Sequence, residues 1–265
     1  MIAEPSVRVD RDGSVAVVTL SRPAKANAMD GEITEALLAA LCSLATGGDV
    51  GAMVLTGQGV AFSAGGDVET IKEMGQDRMF RDAILGAHQR LFHTMTRLPF
   101  ASVAAVNGAA VGAGVTVALL CDLVVMADTA FLSDPRVSLG LLDGAGGIVL
   151  WPLLTSLSAA KEYLLLGERL GGDEAHRLGL VNRVVPQRDV QVEAIRLAHR
   201  LAALPRQAAT QVRRLLNTHM DRMEGLLEDS TRAEYACFDT DEHRLRLEQL
   251  SERLATKPTR EAGKR

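Results

Sequence analysis

The sequence predicts an α/β core over about residues 1–204 followed by a helical region over about 205–255. Up to about residue 157, β-branched apolar runs alternate with helix-period segments, and from Ser158 helix follows helix. The length, 265 residues, suits one large domain with an extension, and the boundary falls near Leu204-Pro205.

Each element has a local reason. Val7-Arg8-Val9 and Val15 to Leu20 are strand-formers around the turn Arg11-Asp12-Gly13-Ser14, so the chain opens as a hairpin. Asp30 is an N-cap for a helix with Ile33, Leu37, Leu38 and Leu41 on one face, ending at Gly47-Gly48. Ala52 to Thr56 reads as a buried strand and leads into a Gly-rich loop. Residues 68–98 read as helix broken at Gly75; strand Ser102 to Val106, helix Ala113 to Leu120 and strand Leu123 to Met126 follow. Beyond Ser158, helices are expected over Ala160 to Leu166, Glu174 to Leu178, Val190 to Leu204, Ala208 to Met220 and from Glu224 towards Leu254, with one short strand, Val181 to Val185. The tail 256–265, with Pro258, Gly263 and four basic residues, is expected to be disordered.

Composition excludes several classes. Aromatic residues are only 3%, so the core is built from Ala, Val and Leu and offers no stacking platform for nucleic acid. The formal charge of −4, with the basic residues spread among acids as a solvated surface, draws the chain to neither nucleic acid nor membrane. Met1 to Pro5 has no secretory pattern, and no apolar run reaches a membrane span. Three isolated cysteines, 42, 121 and 237, fit a reducing cytoplasm and give neither a disulfide framework nor a metal site.

No nucleophile elbow, zinc helix or phosphate loop is present, and the Gly112-Ala113-Gly114 run lacks the third glycine of a dinucleotide fingerprint. His88 and His93, five apart on a helix, share no face and read as structural. Two loops remain, Leu55 to Asp67 and Val106 to Gly114, each a strand, a Gly-rich turn and a helix. Each alone reads as a close strand-to-helix approach; together they can aim two backbone N–H groups at one carbonyl oxygen, an oxyanion hole.

These residues resemble the crotonase, or enoyl-CoA hydratase/isomerase, superfamily. Arg22-Pro23-Ala24-Lys25-Ala26-Asn27-Ala28-Met29 is similar to its RPxKxNA coenzyme A segment, and Phe62-Ser63-Ala64-Gly65-Gly66-Asp67 to its FSAGxD loop. Val106 to Asp122 is similar to VNGxAxGxG…LALxCD, Gly140 to Gly147 to GxxPGAGG, and Gly179 to Val185 to GLVxxVV. The resemblance implies a spiral of ββα units and a helical C-terminal region that assembles a homotrimer or a dimer of trimers. It implies an acyl-CoA thioester as the bound partner, coenzyme A being part of the substrate, and no other cofactor. The thioester carbonyl would lie between the N–H groups of Ala64 and Ala113. Lys25, Ala26, Asn27 and Ala28 would hold coenzyme A, with Gly65, Asp67, Gly112 and Asp134 around the substrate. Lys25 would be a point charge for a coenzyme phosphate, its alternative reading being an ordinary surface lysine.

The same resemblance implies two catalytic glutamates, and these positions fall on Thr116 and Arg136. Neither side chain can serve as a carboxylate base. Asp143 stands where the turn has proline and reads either as a substitute base or as an N-cap, and Asp134 as a site residue or as an ion-pair partner of Arg136. Leu245-Arg246 replace the usual Glu-Gly in the last helix, which leaves a coenzyme-binding lysine from a neighbouring subunit without its usual context. The expected functions are an enoyl-CoA hydratase/isomerase acting through an enolate, an acyl-CoA-binding protein with a degraded site, or a specialised isomerase or hydrolase using Asp143.

Overall fold

The structure, a computed structural model, describes residues 5–256. Residues 1–4, most of the stretch read as lacking a secretory pattern, and residues 257–265 of the expected tail lie outside the described residues. The hairpin forms as β1 (Val7–Asp12) and β2 (Val15–Leu20). Helix α1 (Gly31–Gly47) begins where the Asp30 side chain accepts from Ile33 N–H at 3.1 Å. Then come β3 (Ala52–Gly57), β4 (Ala61–Ser63), α2 (Val68–Gln76) and α3 (Arg78–Thr96). The α2/α3 break lies at Asp77 rather than at Gly75, because the Asp77 carboxylate accepts the N–H groups of Met79 and Phe80 and so starts a new helix.

The pattern repeats with β5 (Ala101–Val106), β6 (Ala109–Val111) and α4 (Ala113–Leu119), then β7 (Leu123–Ala127), β8 (Phe131–Ser133) and, after a 3₁₀ turn at Arg136–Leu139, α5 (Gly147–Leu154). α6 (Leu157–Leu166), β9 (Leu170–Gly171), α7 (Gly172–Leu178), β10 (Arg183–Val185) and α8 (Val190–Ala202) close the core. α9 (Arg206–Asp221), α10 (Glu224–Cys237) and α11 (Asp241–Thr256) form the helical region.

One six-stranded sheet runs β1-β2-β3-β5-β7-β10, parallel apart from the hairpin. A second sheet runs β4-β6-β8-β9. Each turn of the spiral thus places a long strand in the first sheet and a three-residue strand in the second before its helix. The central strands β2, β3 and β5 are apolar on both faces and buried, as parallel strands covered on both sides must be. The fold is the mixed α/β spiral expected from the sequence.

Not every arginine lies on the solvated surface. Arg81, Arg136 and Arg213 are largely buried. Arg213 of α9 pairs with Asp122 at 2.8 Å and donates to the carbonyls of Met95, Thr96 and Leu98, closing the end of α3 and pinning α9 to the core. Arg81 donates to Met74 O, Tyr235 O and Asp239, and lies over the rings of Tyr235 and Phe238. It ties α10 to α2 and α3.

Candidate active site

The two Gly-rich loops meet. Gly65 has φ +78°, and a Cβ there would come 2.3 Å from Val111 O, so only glycine lets the β4 loop lie against the start of α4. Beside this contact is a cavity of about 210 Å³. Ile71, Met74, Ile84, Leu85, Leu139 and Phe238 supply apolar wall, while Ala113, Arg136, His88 and Glu234 supply its polar features.

Ala113 is the first residue of α4, and its N–H has no acceptor within the protein among the described residues. Ala64 differs from expectation. Its N–H donates to Ala26 O at 2.9 Å, because Ala26 sits at φ +47° and turns its carbonyl inward. Of the two N–H groups expected to face a carbonyl oxygen, only that of Ala113 is open here.

Asn27, expected to contact coenzyme A, is fully buried and works as a cross-link. Its Oδ1 accepts from Arg22 N–H, and its Nδ2 donates to Gln58 O and Ala61 O. The left-handed backbone at Ala26 and Asn27 and the buried Ala28 are held by that cross-link and by the Met29 N–H bond to Gly65 O. Lys25 is half-exposed, and its Nζ lies 3.1 Å from Asp67 Oδ2 and 3.7 Å from Glu69. The bond to Asp67 raises the Lys25 pKa. Asp67 therefore points at Lys25 and gives α2 no side-chain cap bond.

Behind Ala113 lies a buried charge cluster. Asp143 Oδ2 accepts from the Thr116 hydroxyl at 2.8 Å, and Oδ1 accepts from Ala145 N–H at 2.7 Å and pairs with Arg136 Nη1. The N-cap reading of Asp143 is not what forms: α5 starts at Gly147 behind Gly146, with no side-chain cap bond. Asp143 is absent from the cavity wall, its carboxylate being turned to Thr116, Ala145 and Arg136. Arg136 also faces Asp134, Nε to Oδ1 at 3.6 Å, as its ion-pair reading required. No side chain at Gly112 screens Arg136; a Cβ there would lie 3.3 Å from Nε.

The electrostatics follow from burial. Burial opposes the Arg136 charge, but Asp134, Asp143 and Glu234 outweigh it and push its pKa up. Burial raises Asp134 to about 6, against the pull of Arg136. Burial, aided by Arg136, lowers His88 to about 4. Arg136 Nη2, Asp134 Oδ2 and His88 Nε2 are buried without a hydrogen-bond partner.

Glu234 was not anticipated. On an α10 segment reading Ala-Glu-Tyr-Ala it looks like a surface residue, yet it is buried and accepts from Gly144 N–H at 3.0 Å. Burial pushes its carboxyl up to about 8; Arg136 opposes this and Asp143 adds to it. Only the packing of α10 on the Gly144 turn could have disclosed it.

A family model described as enoyl-CoA hydratase/isomerase matches residues 10–256. The chain belongs to the enoyl-CoA hydratase/isomerase family, within the crotonase superfamily. Among curated relatives in this family, the 4-chlorobenzoyl coenzyme A dehalogenase-1 of an Arthrobacter species is 37% identical over 203 residues, covering 75% of this chain and 73% of the relative. The short-chain-enoyl-CoA hydratase of Clostridium acetobutylicum is 30% identical over 241 residues, covering 90% and 92%. The crystal structure of an enoyl-CoA hydratase/isomerase from Mycobacterium paratuberculosis superposes with a TM-score of 0.89 at 36% identity, covering 94% of this chain and all of that one.

Proposed function

We propose that this protein binds an acyl-CoA thioester in the cavity beside α4 and stabilises its enolate. The observation that carries the reading is the open Ala113 N–H on the wall of a largely apolar cavity, in a chain whose family relatives are named for coenzyme A thioesters. The thioester oxygen accepts from Ala113 N–H, and the bond strengthens as the oxygen gains charge, so the donor stabilises the enolate more than the substrate. The Ala64 N–H joins only if a bound thioester draws it from Ala26 O. Thr116 and Arg136, at the positions where the family resemblance implies glutamates, hold Asp143 and transfer no proton. Efficient hydration of crotonyl-CoA is therefore not expected.

Calorimetry with butyryl-CoA and turnover assays with crotonyl-CoA and 4-chlorobenzoyl-CoA test this reading. Binding is expected, with crotonyl-CoA hydration weak or absent. Ala113→Pro removes the N–H at a helix position that tolerates proline, and should lower any turnover by about 10²–10³-fold. Absence of butyryl-CoA binding to folded wild-type protein rejects the reading. Rapid turnover of 4-chlorobenzoyl-CoA would instead favour nucleophilic use of Asp143.

We further propose that the chain works as a homo-oligomer, a trimer or dimer of trimers. An apolar groove of about 920 Å³, lined by Leu119, Leu120, Leu153, Val212 and Leu216 among others, and the exposed Leu157, Leu165, Leu166 and Leu215, leave apolar surface that a second copy would cover. Light scattering that gives the single-chain mass of 28.3 kDa at micromolar concentration rejects this.

A further inference from the structure

Three carboxyl groups surround Arg136, and they are not equivalent. Asp143 and Asp134 stand off the cavity wall, and the acidic side chain on that wall is Glu234. Its Oε2 is fixed by Gly144 N–H at 3.0 Å, and it makes no other hydrogen bond among the described residues. The approach is close: a Cβ on Gly144 would lie 2.5 Å from Oε2 and 2.8 Å from Thr231 Cα. Glu234 thus projects from a rigid contact into the cavity that Ala113 also lines, with its second oxygen uncommitted.

We propose that Glu234 is the acid/base carboxyl of this site, and that it moves a proton between carbons 2 and 4 of a 3-enoyl-CoA thioester. The proposal rests on the acyl-CoA reading above. The ionised carboxyl takes a proton from carbon 2, and the C–H electron pair spreads over carbons 2 to 4 and the thioester oxygen held by Ala113. The protonated carboxyl returns that proton at carbon 4, the thioester carbonyl re-forms, and the double bond lies between carbons 2 and 3. Nothing is consumed and no co-reactant is needed, so one carboxyl suffices, whereas hydration has to handle both a water and a carbon acid.

The charges facing Glu234 suit this work. Arg136 from the 3₁₀ turn favours its ionised form; Asp143 and Asp134 oppose it; Cys237 lies on its own helix, and His88 from α3 lines the same cavity in its neutral form. Burial at that spot brings its titration to about 8, where both proton states are populated near neutral pH and each is a competent partner.

The experiment uses the full chain, trans-3-hexenoyl-CoA for isomerisation, and butyryl-CoA in deuterium oxide for exchange at carbon 2 followed by mass spectrometry. Wild-type protein is expected to do both, with kcat/KM rising to a plateau above about pH 8. Glu234→Gln keeps an acceptor for Gly144 N–H, so the protein should stay folded and butyryl-CoA affinity should hold, while both rates fall by about 10²–10⁴-fold and the pH dependence of the rates disappears. Glu234→Asp should recover part of the rate. Exchange at the wild-type rate in folded Glu234→Gln protein overturns the role of Glu234 and leaves the acyl-CoA reading standing. A wild-type profile flat between pH 6 and 9 does the same without any variant. Wild-type protein that fails to bind butyryl-CoA overturns both.

Discussion

The Thr116 hydroxyl donates to Asp143 Oδ2 at 2.8 Å, and this single bond joins α4 to the turn ahead of α5. Both residues are buried, so the carboxylate has no water to replace the hydroxyl. Thr116→Val keeps the shape and removes the donor. A hydrogen bond to a charged group is worth about 1.5–3 kcal/mol, and urea denaturation should show a loss of that size. The loss should shrink when Asp143→Asn is already present, because an amide needs the donor less than a carboxylate does. Equal losses in both backgrounds would contradict the coupling.

Arg136→Gln leaves Asp134 and Asp143 buried without their cation. Removing one partner of a buried pair typically costs about 3–5 kcal/mol, so this should be among the most destabilising single changes near the cavity. Adding Asp143→Asn to it should restore part of the stability, which a double-mutant cycle in urea measures directly.

Glu234 also makes a signed prediction about pH. Its folded pKa, about 8, lies above the ordinary 4.5, so the folded chain keeps a proton that the unfolded chain has lost. That contribution to stability is present below about pH 4.5 and is lost as pH rises towards 8. Asp134 acts in the same direction between 3.8 and about 6, whereas His88, held down to about 4, costs stability as pH falls below 6.5. Denaturation of wild type and Glu234→Gln from pH 5 to 8.5 should show the variant gaining on wild type as pH rises; a constant difference would contradict the assignment.

Lys25 is paired with Asp67, so an anion that approaches it has to compete with that carboxylate. Asp67→Asn should release it and tighten coenzyme A binding severalfold at low salt, with the gain fading as ionic strength rises; Lys25→Ala should do the reverse. Calorimetry with free coenzyme A at two salt concentrations decides.

How far the sequence reveals this molecule depends on how local the cause is. Helix α1 is legible because Asp30 caps it and its leucines face one way. The break after α2 is displaced by two residues because an N-cap at Asp77 outweighs a helix-weakening Gly75. Strands β4, β6 and β8 are three residues each, too short to show alternation, and they exist because the longer strands place them side by side. Helix α5 escapes notice because Ile148 to Trp151 are apolar on every side and Pro152 lies within it. In the site, the loop motifs bring Ala64, Ala113, Thr116, Arg136 and Asp143 together. What they do not disclose is direction: that Ala64 N–H turns to Ala26, that Asp143 turns away from the cavity, and that Glu234 arrives from the helical region some 90 residues further on.

The contact of Gly65 with Val111 O makes one side of the cavity incompressible, since backbone there meets backbone. Elsewhere the wall is made of side chains, among them Ile71 and Met74 from α2 and Leu250 from α11. On the proposed acyl-CoA reading, tolerance for longer or bulkier acyl groups is tuned at those side chains, where a residue can be trimmed without moving the donor at Ala113. On that reading, selectivity for acyl length and the chemistry at the thioester rest on different residues of the wall, and each can be altered while the other stays as it is.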